Sequence, residues 1–136
     1  MRFIPLGYKL GSAFQIRDDV LNLLAEERYG KEVAGDIYES KRTLILIEAL
    51  SRCSAEEREQ AKKILDKPRG LKKVEEVEWI LRLIKKTGSI EYASGVAEKL
   101  ANEAINIFED VFKDAQNAEA KAAIRSLIEL VVSRRW

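Results

Sequence analysis

Along most of the chain, apolar residues return every three or four positions, the spacing that gathers them on one face of an α-helix. In "VEEVEWILRLIKK" the pattern falls on Val74, Val77, Ile80, Leu81 and Ile84, and Gly88 marks its end. Ser89 is placed to cap a long helix running to about Asp114, with Ala93, Ala97, Leu100, Ala104, Ile107 and Phe108 on one face. Asn117 interrupts the pattern, and a last helix carries Ala123, Ile124, Leu127, Leu130 and Val131. Upstream, Pro5 stands at the start of a helix expected from about Leu6 to Glu27. The loop "RYGKEVAG" follows. Asp36 then reads as an N-cap, with Glu39 as its capping-box partner, opening a helix to about Arg52. Ser54 and Glu57 repeat that box and open another helix, which ends near Lys67–Pro68 before the loop "PRGLKK". No stretch sustains the two-residue alternation of a strand, so the expected fold is a single all-α domain over residues 1–136.

Composition agrees with long helices, since 35% of the 136 residues are charged, 46% are hydrophobic and only two are proline. The 24 basic and 23 acidic residues nearly cancel, which gives no sign of general binding to nucleic acid or a membrane surface. No apolar run is long enough to span a bilayer; "TLILIEAL" is broken by Glu48. The single cysteine, Cys53, rules out a disulfide within the chain and suits a reducing compartment. The lack of histidine narrows the chemistry further. It removes imidazole acid–base catalysis, histidine-activated nucleophiles and the usual zinc sites. Carboxylates, lysines, arginines and hard metal ions remain.

The first helix contains two adjacent aspartates in an apolar setting, "FQIRDDVLNL". At about 100° per residue and with Gln15 as zero, Asp18 falls at about −60°, Asp19 at about +40° and Asn22 at about −20°. These four residues form one stripe, extended upstream by the small residues Gly11 and Ser12. Apolar side chains fill most of the remaining circumference, apart from Arg17. A helix of that kind is expected to be largely buried, with its narrow polar stripe facing a cavity, a cleft or a strip of surface. Two carboxylates and an amide are hard oxygen ligands, suited to Mg²⁺ that also binds substrate phosphates. Lys31 and Lys41 stand on either side of Asp36 and could meet remaining phosphate charge. Taken alone, the aspartates and lysines also fit an ordinary solvated face.

The longer stretch, "LGSAFQIRDDVLNL" followed by "YGKEVAGDIYESKRTLILIEAL", resembles the C-terminal half of the trans-isoprenyl diphosphate synthases, the polyprenyl synthetase family. It is most similar to bacterial geranylgeranyl-type members, and the likeness continues more loosely to the basic end "SRRW". The resemblance implies an all-α helical bundle, the C-terminal part of an isoprenoid-synthase fold. In that family two aspartate-rich motifs face each other across a cavity and bind Mg²⁺ around an allylic diphosphate. The second motif usually reads FQxxDDxxD, and Phe14, Gln15, Asp18 and Asp19 match it, while Asn22 stands at the third acidic position. The resemblance implies Asp18, Asp19 and Asn22 as metal ligands. It implies Lys31 and Lys41 as diphosphate contacts, and Phe14, Gln15 and Asp36 as residues that line or support the site.

The implied reaction joins an allylic diphosphate to isopentenyl diphosphate. Mg²⁺ and lysines stabilise departing diphosphate, the isopentenyl double bond attacks the allylic cation, and a proton is lost. No second DDxxD occurs in the chain, and the family's isopentenyl-binding segment and its length-setting residues belong to the part that precedes this region. The expectation is therefore a truncated, excised or separately encoded half of a cytoplasmic prenyltransferase, inactive alone. A homo-oligomer or a complementing N-terminal half would cover its exposed apolar surface. The alternative is a non-catalytic helical interaction module that has kept the fold and lost the reaction. A terpene cyclase is a weaker third reading.

Overall fold

A computed structural model describes residues 3–24 and 34–132. All the regular elements among them are helices, as expected, and no strand occurs among the described residues. In chain order the α-helices are α1 (Phe3–Leu24), α2 (Gly35–Tyr38), α3 (Leu44–Arg52), α4 (Ala55–Leu65), α5 (Val74–Thr87), α6 (Ser89–Val111) and α7 (Ala118–Val132). A short 3-10 turn, Arg69–Leu71, lies between α4 and α5. The described residues form two compact units, one holding positions 18–24 and 34–93 and the other positions 3–17 and 94–132.

In the unit of residues 18–24 and 34–93, α5 packs against α2, α3 and α4. Its buried stripe is Val77, Ile80, Leu83 and Ile84, one turn after another on a single face. Ile45, Leu46 and Ala49 of α3 and Ala61 and Ile64 of α4 are buried with it. The start of α4 and the end of α5 are closed by the chemistry the sequence indicated. Ser54 accepts from the backbone N–H of Glu57, whose carboxylate in turn accepts from the N–H of Ser54. Gly88 adopts the left-handed φ of +70° that ends α5. Arg52 ties α3 to the end of α5 by donating to the Thr87 carbonyl at 3.1 Å, and its guanidinium lies over the Tyr92 ring.

The other unit is built from the first part of α1, most of α6, and α7. Ala97, Ala101, Ala104 and Phe108 form the buried stripe of α6. Phe112 stacks between Phe108 and Phe3, with ring centroids 5.0 Å and 5.7 Å away. Lys9 pairs with Glu103, and Glu109 pairs with Lys121 and Arg125.

Five expectations are corrected. Helix α1 begins at Phe3 rather than Leu6, because Pro5 sits within the first turn, where its missing N–H costs nothing. Asp36 is not an N-cap; it lies inside the four-residue α2, which Ala34 precedes without any side-chain cap. The helix expected from Asp36 to Arg52 is broken in two. Ser40 takes a left-handed φ of +55°, and Thr43 starts α3 afresh by accepting from the N–H of Leu46 at 3.2 Å. Ser89 is the first residue of α6 and is fully buried, with its hydroxyl 2.6 Å from that of Thr87. Finally, α1 is not largely buried: Ala13, Val20 and Leu23 are, but Phe3, Ile4, Tyr8 and Phe14 are exposed. Apolar character around the wheel shows what a helix can bury, and packing decides which side it does bury. The same holds for α7, where Ile128 is buried while Ile124, Leu127 and Leu130 are exposed.

Core and periphery of α5 separate cleanly. Ile80 is 0% exposed and Val74 58% exposed. Ile80→Ala is expected to cost about 2–5 kcal/mol in urea unfolding, and Val74→Ala within about 0.5 kcal/mol.

Candidate functional site

Adjacent residues on a helix point about 100° apart, so Asp18 and Asp19 meet different surroundings. Asp18 is exposed and Asp19 is buried, with 6% of its surface accessible. A carboxylate removed from water needs a cation or several donors. Lys41 supplies the cation. Its Nζ donates to Asp19 Oδ1 at 2.9 Å and lies 4.0 Å from Asp36 Oδ2. The break between α2 and α3 is what puts Lys41 there, in the three-residue link that precedes Leu44. A second tie comes from Asn22, one turn beyond Asp18 on α1, whose Oδ1 accepts from the backbone N–H of Asp36 at 3.1 Å. The cluster therefore joins the end of α1 to the α2 turn through a charged pair and an amide hydrogen bond.

The charges respond to one another. The hydrogen bond to Asp19 holds the Lys41 ammonium above its usual range, aided by the charges of Asp19, Asp36 and Asp18 and opposed by burial. Burial raises the Asp36 carboxyl above its ordinary 3.8; Lys41 works against this, while Asp19 and Asp18 add to it. The site thus carries three carboxylates against one ammonium within its described part. Such an excess of negative charge on hard oxygens suits a divalent cation.

No group of three or more Cys, Asp or Glu among the described residues is arranged to hold a metal by itself. Mg²⁺ commonly takes only one or two carboxylates and keeps waters and substrate phosphates as its other ligands. Asp18, exposed beside the Asp19–Lys41 pair, fits that mode, and Asp19 adds a second carboxylate. Asn22 Oδ1 already accepts one hydrogen bond and has one lone pair left for a water or a cation.

Of the remaining candidates, Phe14 and Gln15 precede Asp18 on α1, belong to the other unit, and are exposed. Lys31 lies outside the described residues. Arg17, which lies among apolar positions of α1, has a buried Nε with no hydrogen-bond partner among the described residues. Three residues absent from the sequence reading shape the cluster. Thr43 carried a local signal, a threonine just before the apolar run "LILI". Ser40 and Lys72 carried none, since Ser40 reaches the Leu65 carbonyl 25 residues away and Lys72 the Tyr38 carbonyl 34 residues away.

The polyprenyl synthetase family model matches residues 1–84. Over 132 residues the chain is 38% identical to the geranylgeranyl diphosphate synthase of Sulfolobus acidocaldarius, covering 95% of this chain and 38% of that one. It is 34% identical to the enzyme of the same name from Saccharolobus solfataricus, with the same coverage. A solved structure of geranylgeranyl pyrophosphate synthase from Corynebacterium glutamicum, complexed with isoprenyl diphosphate and magnesium, superposes with a TM-score of 0.82 at 28% identity. That match covers 98% of this chain and 37% of the other. The chain thus spans less than two fifths of the length of these relatives.

The raised Asp36 pKa fixes a sign. The folded chain holds this proton more tightly than the unfolded chain, so stability falls as pH rises from about 3.8 through the folded value. Urea unfolding between pH 3 and pH 7 is expected to show the wild type losing stability relative to Asp36→Asn across that window. Parallel profiles would remove the assignment.

Proposed function

The chain belongs to the polyprenyl synthetase family, and from that membership we propose that it is the C-terminal part of a Mg²⁺-dependent prenyltransferase that joins an allylic diphosphate to isopentenyl diphosphate. The observation that carries this is the Lys41–Asp19 contact at 2.9 Å beside an exposed Asp18, within "FQIRDDVLN". Asp18 and Asp19 would hold Mg²⁺, with Asn22 orienting a bound water while it fixes Asp36. Lys41 meets the diphosphate, joined by Lys31. Phe14 and Gln15 complete the motif on α1, and Asp36 keeps Lys41 in place by charge. Bound Mg²⁺ supplies positive charge for the departing diphosphate. The chain's own residues supply preorganised charge, already arranged before any substrate arrives.

Alone, the chain is expected to bind diphosphate without elongating it, since it presents one aspartate pair. A complementing segment, or a further copy, would complete the pocket. A cytoplasmic setting goes with this reading and with the single Cys53. Among the described residues no helix is long and apolar enough to cross a membrane.

The exposed Ile124, Leu127 and Leu130 of α7, and Phe3, Ile4 and Tyr8 of α1, favour a second reading. It is a non-catalytic helical module that binds a partner or itself through these faces. Thermal unfolding with Mg²⁺ and pyrophosphate separates the two. Ligand at a hundredfold excess over Kd stabilises by about 2.7 kcal/mol, which raises the midpoint by several degrees. The prenyltransferase reading expects that rise in the wild type and its loss in Asp18→Ala, with the ligand-free midpoint unchanged because Asp18 is exposed. An unmoved wild-type midpoint favours the interaction module.

A further inference from the structure

Lys41 is the first residue after a turn that is fastened at three consecutive positions. The Tyr38 carbonyl accepts from Lys72 Nζ at 2.9 Å. Glu39 pairs with Arg69, whose guanidinium also lies 5.5 Å from the Tyr38 ring centroid. Ser40 donates its hydroxyl to the Leu65 carbonyl at 2.6 Å. All the partners come from one segment, residues 65–72, between α4 and α5. Lys72 is unusual among them. It is buried, with 7% of its surface accessible, and its ammonium is held by backbone carbonyls, those of Tyr38 and Lys67. Both carbonyls lie at or just beyond a helix C-terminus, the negative end of the peptide dipoles. A buried ammonium placed this way bonds the end of α2 to the chain leaving α4.

Ser40 explains why the turn needs fastening. Its φ of +55° is a conformation that L-residues other than glycine adopt only at a cost of about 1–2 kcal/mol. Freed from Leu65 and Lys72, the turn would relax, and Lys41 would lose its fixed reach to Asp19. We infer that Lys72, acting with Ser40, is a positioning residue that sets where the Lys41 ammonium stands. As far as it concerns ligand binding, this rests on the diphosphate reading above.

The test is a double-mutant cycle on wild type, Lys41→Met, Lys72→Met and the double variant. Two quantities are read on the full chain: calorimetric affinity for pyrophosphate with Mg²⁺, and stability in urea. Lys72→Met is expected to weaken binding about threefold or more in the wild-type background and to change nothing further once Lys41 is methionine. The two losses of stability are likewise expected to be non-additive. If Lys72→Met lowers stability but binds as wild type does, or if the effects add, Lys72 is only a structural residue and the inference falls. If the wild type itself has no affinity for Mg²⁺ and pyrophosphate, the diphosphate reading fails and the urea cycle alone decides: coupling keeps the placement of Lys41, additivity removes it. Should Lys72→Met not fold, Ser40→Ala takes its place in the same cycle, since it deletes only the hydroxyl that reaches Leu65.

Discussion

The ion pair between Lys41 and Asp19 is the contact on which the rest of this arrangement depends. Asp19 is nearly removed from water, and an unpaired carboxylate there would be severely penalised. The ammonium that answers it comes from a position 22 residues along the chain. Bringing it in requires α2 to stop after one turn, Ser40 to take a left-handed conformation, and Thr43 to begin α3 anew. A continuous helix from Asp36 to Arg52 would satisfy local preferences and would commit the residues around Lys41 to helical hydrogen bonds. The break takes Lys41 out of a helix, with its N–H bonded back to the Asp36 carbonyl and its own carbonyl accepting from Thr43, and gives its side chain a route to α1.

That arrangement also accounts for the character of the site. Asp19 and Asp36 flank one ammonium with Asp18 close by; the hydrogen bond to Asp19, aided by the charge of the three carboxylates, holds the Lys41 proton firmly, and the excess negative charge suits a second cation. In the proposed reading a Mg²⁺-bound diphosphate would bring both charges at once: a metal for the carboxylates, and phosphate oxygens for the lysine. Histidine is not needed for chemistry of this kind, which agrees with a chain that has none.

How much of this was legible in the sequence depends on the range of each interaction. The Ser54–Glu57 capping box, the glycine end of α5 and the buried stripe of α5 are local, and periodicity and spacing revealed them. Asp36 and Glu39 show the limit of such signals. They have the spacing of a capping box, yet the N–H of Asp36 is taken by Asn22, 14 residues away. Exposure of the apolar residues on α1 and α7 was likewise beyond the wheel, which orders side chains around an axis without saying what covers them. The identity of the site residues came from the resemblance of "FQIRDDVLN" and the following lysine segments to a known family; the wheel showed only that Asp18, Asp19 and Asn22 share a stripe. Lys72 was out of reach for both, since a lysine in "GLKK" has no local mark of burial.

The most direct measurement is the ¹⁵N-resolved NMR signal of the Lys41 side-chain ammonium, followed as pyrophosphate is added with and without Mg²⁺. A hydrogen-bonded ammonium held by Asp19 gives a distinct resonance. The expected result is a large shift of that signal with Mg²⁺ and pyrophosphate together, and a small one with either alone. A signal that stays in place at saturating concentrations of both would contradict a diphosphate site built on the Lys41–Asp19 pair.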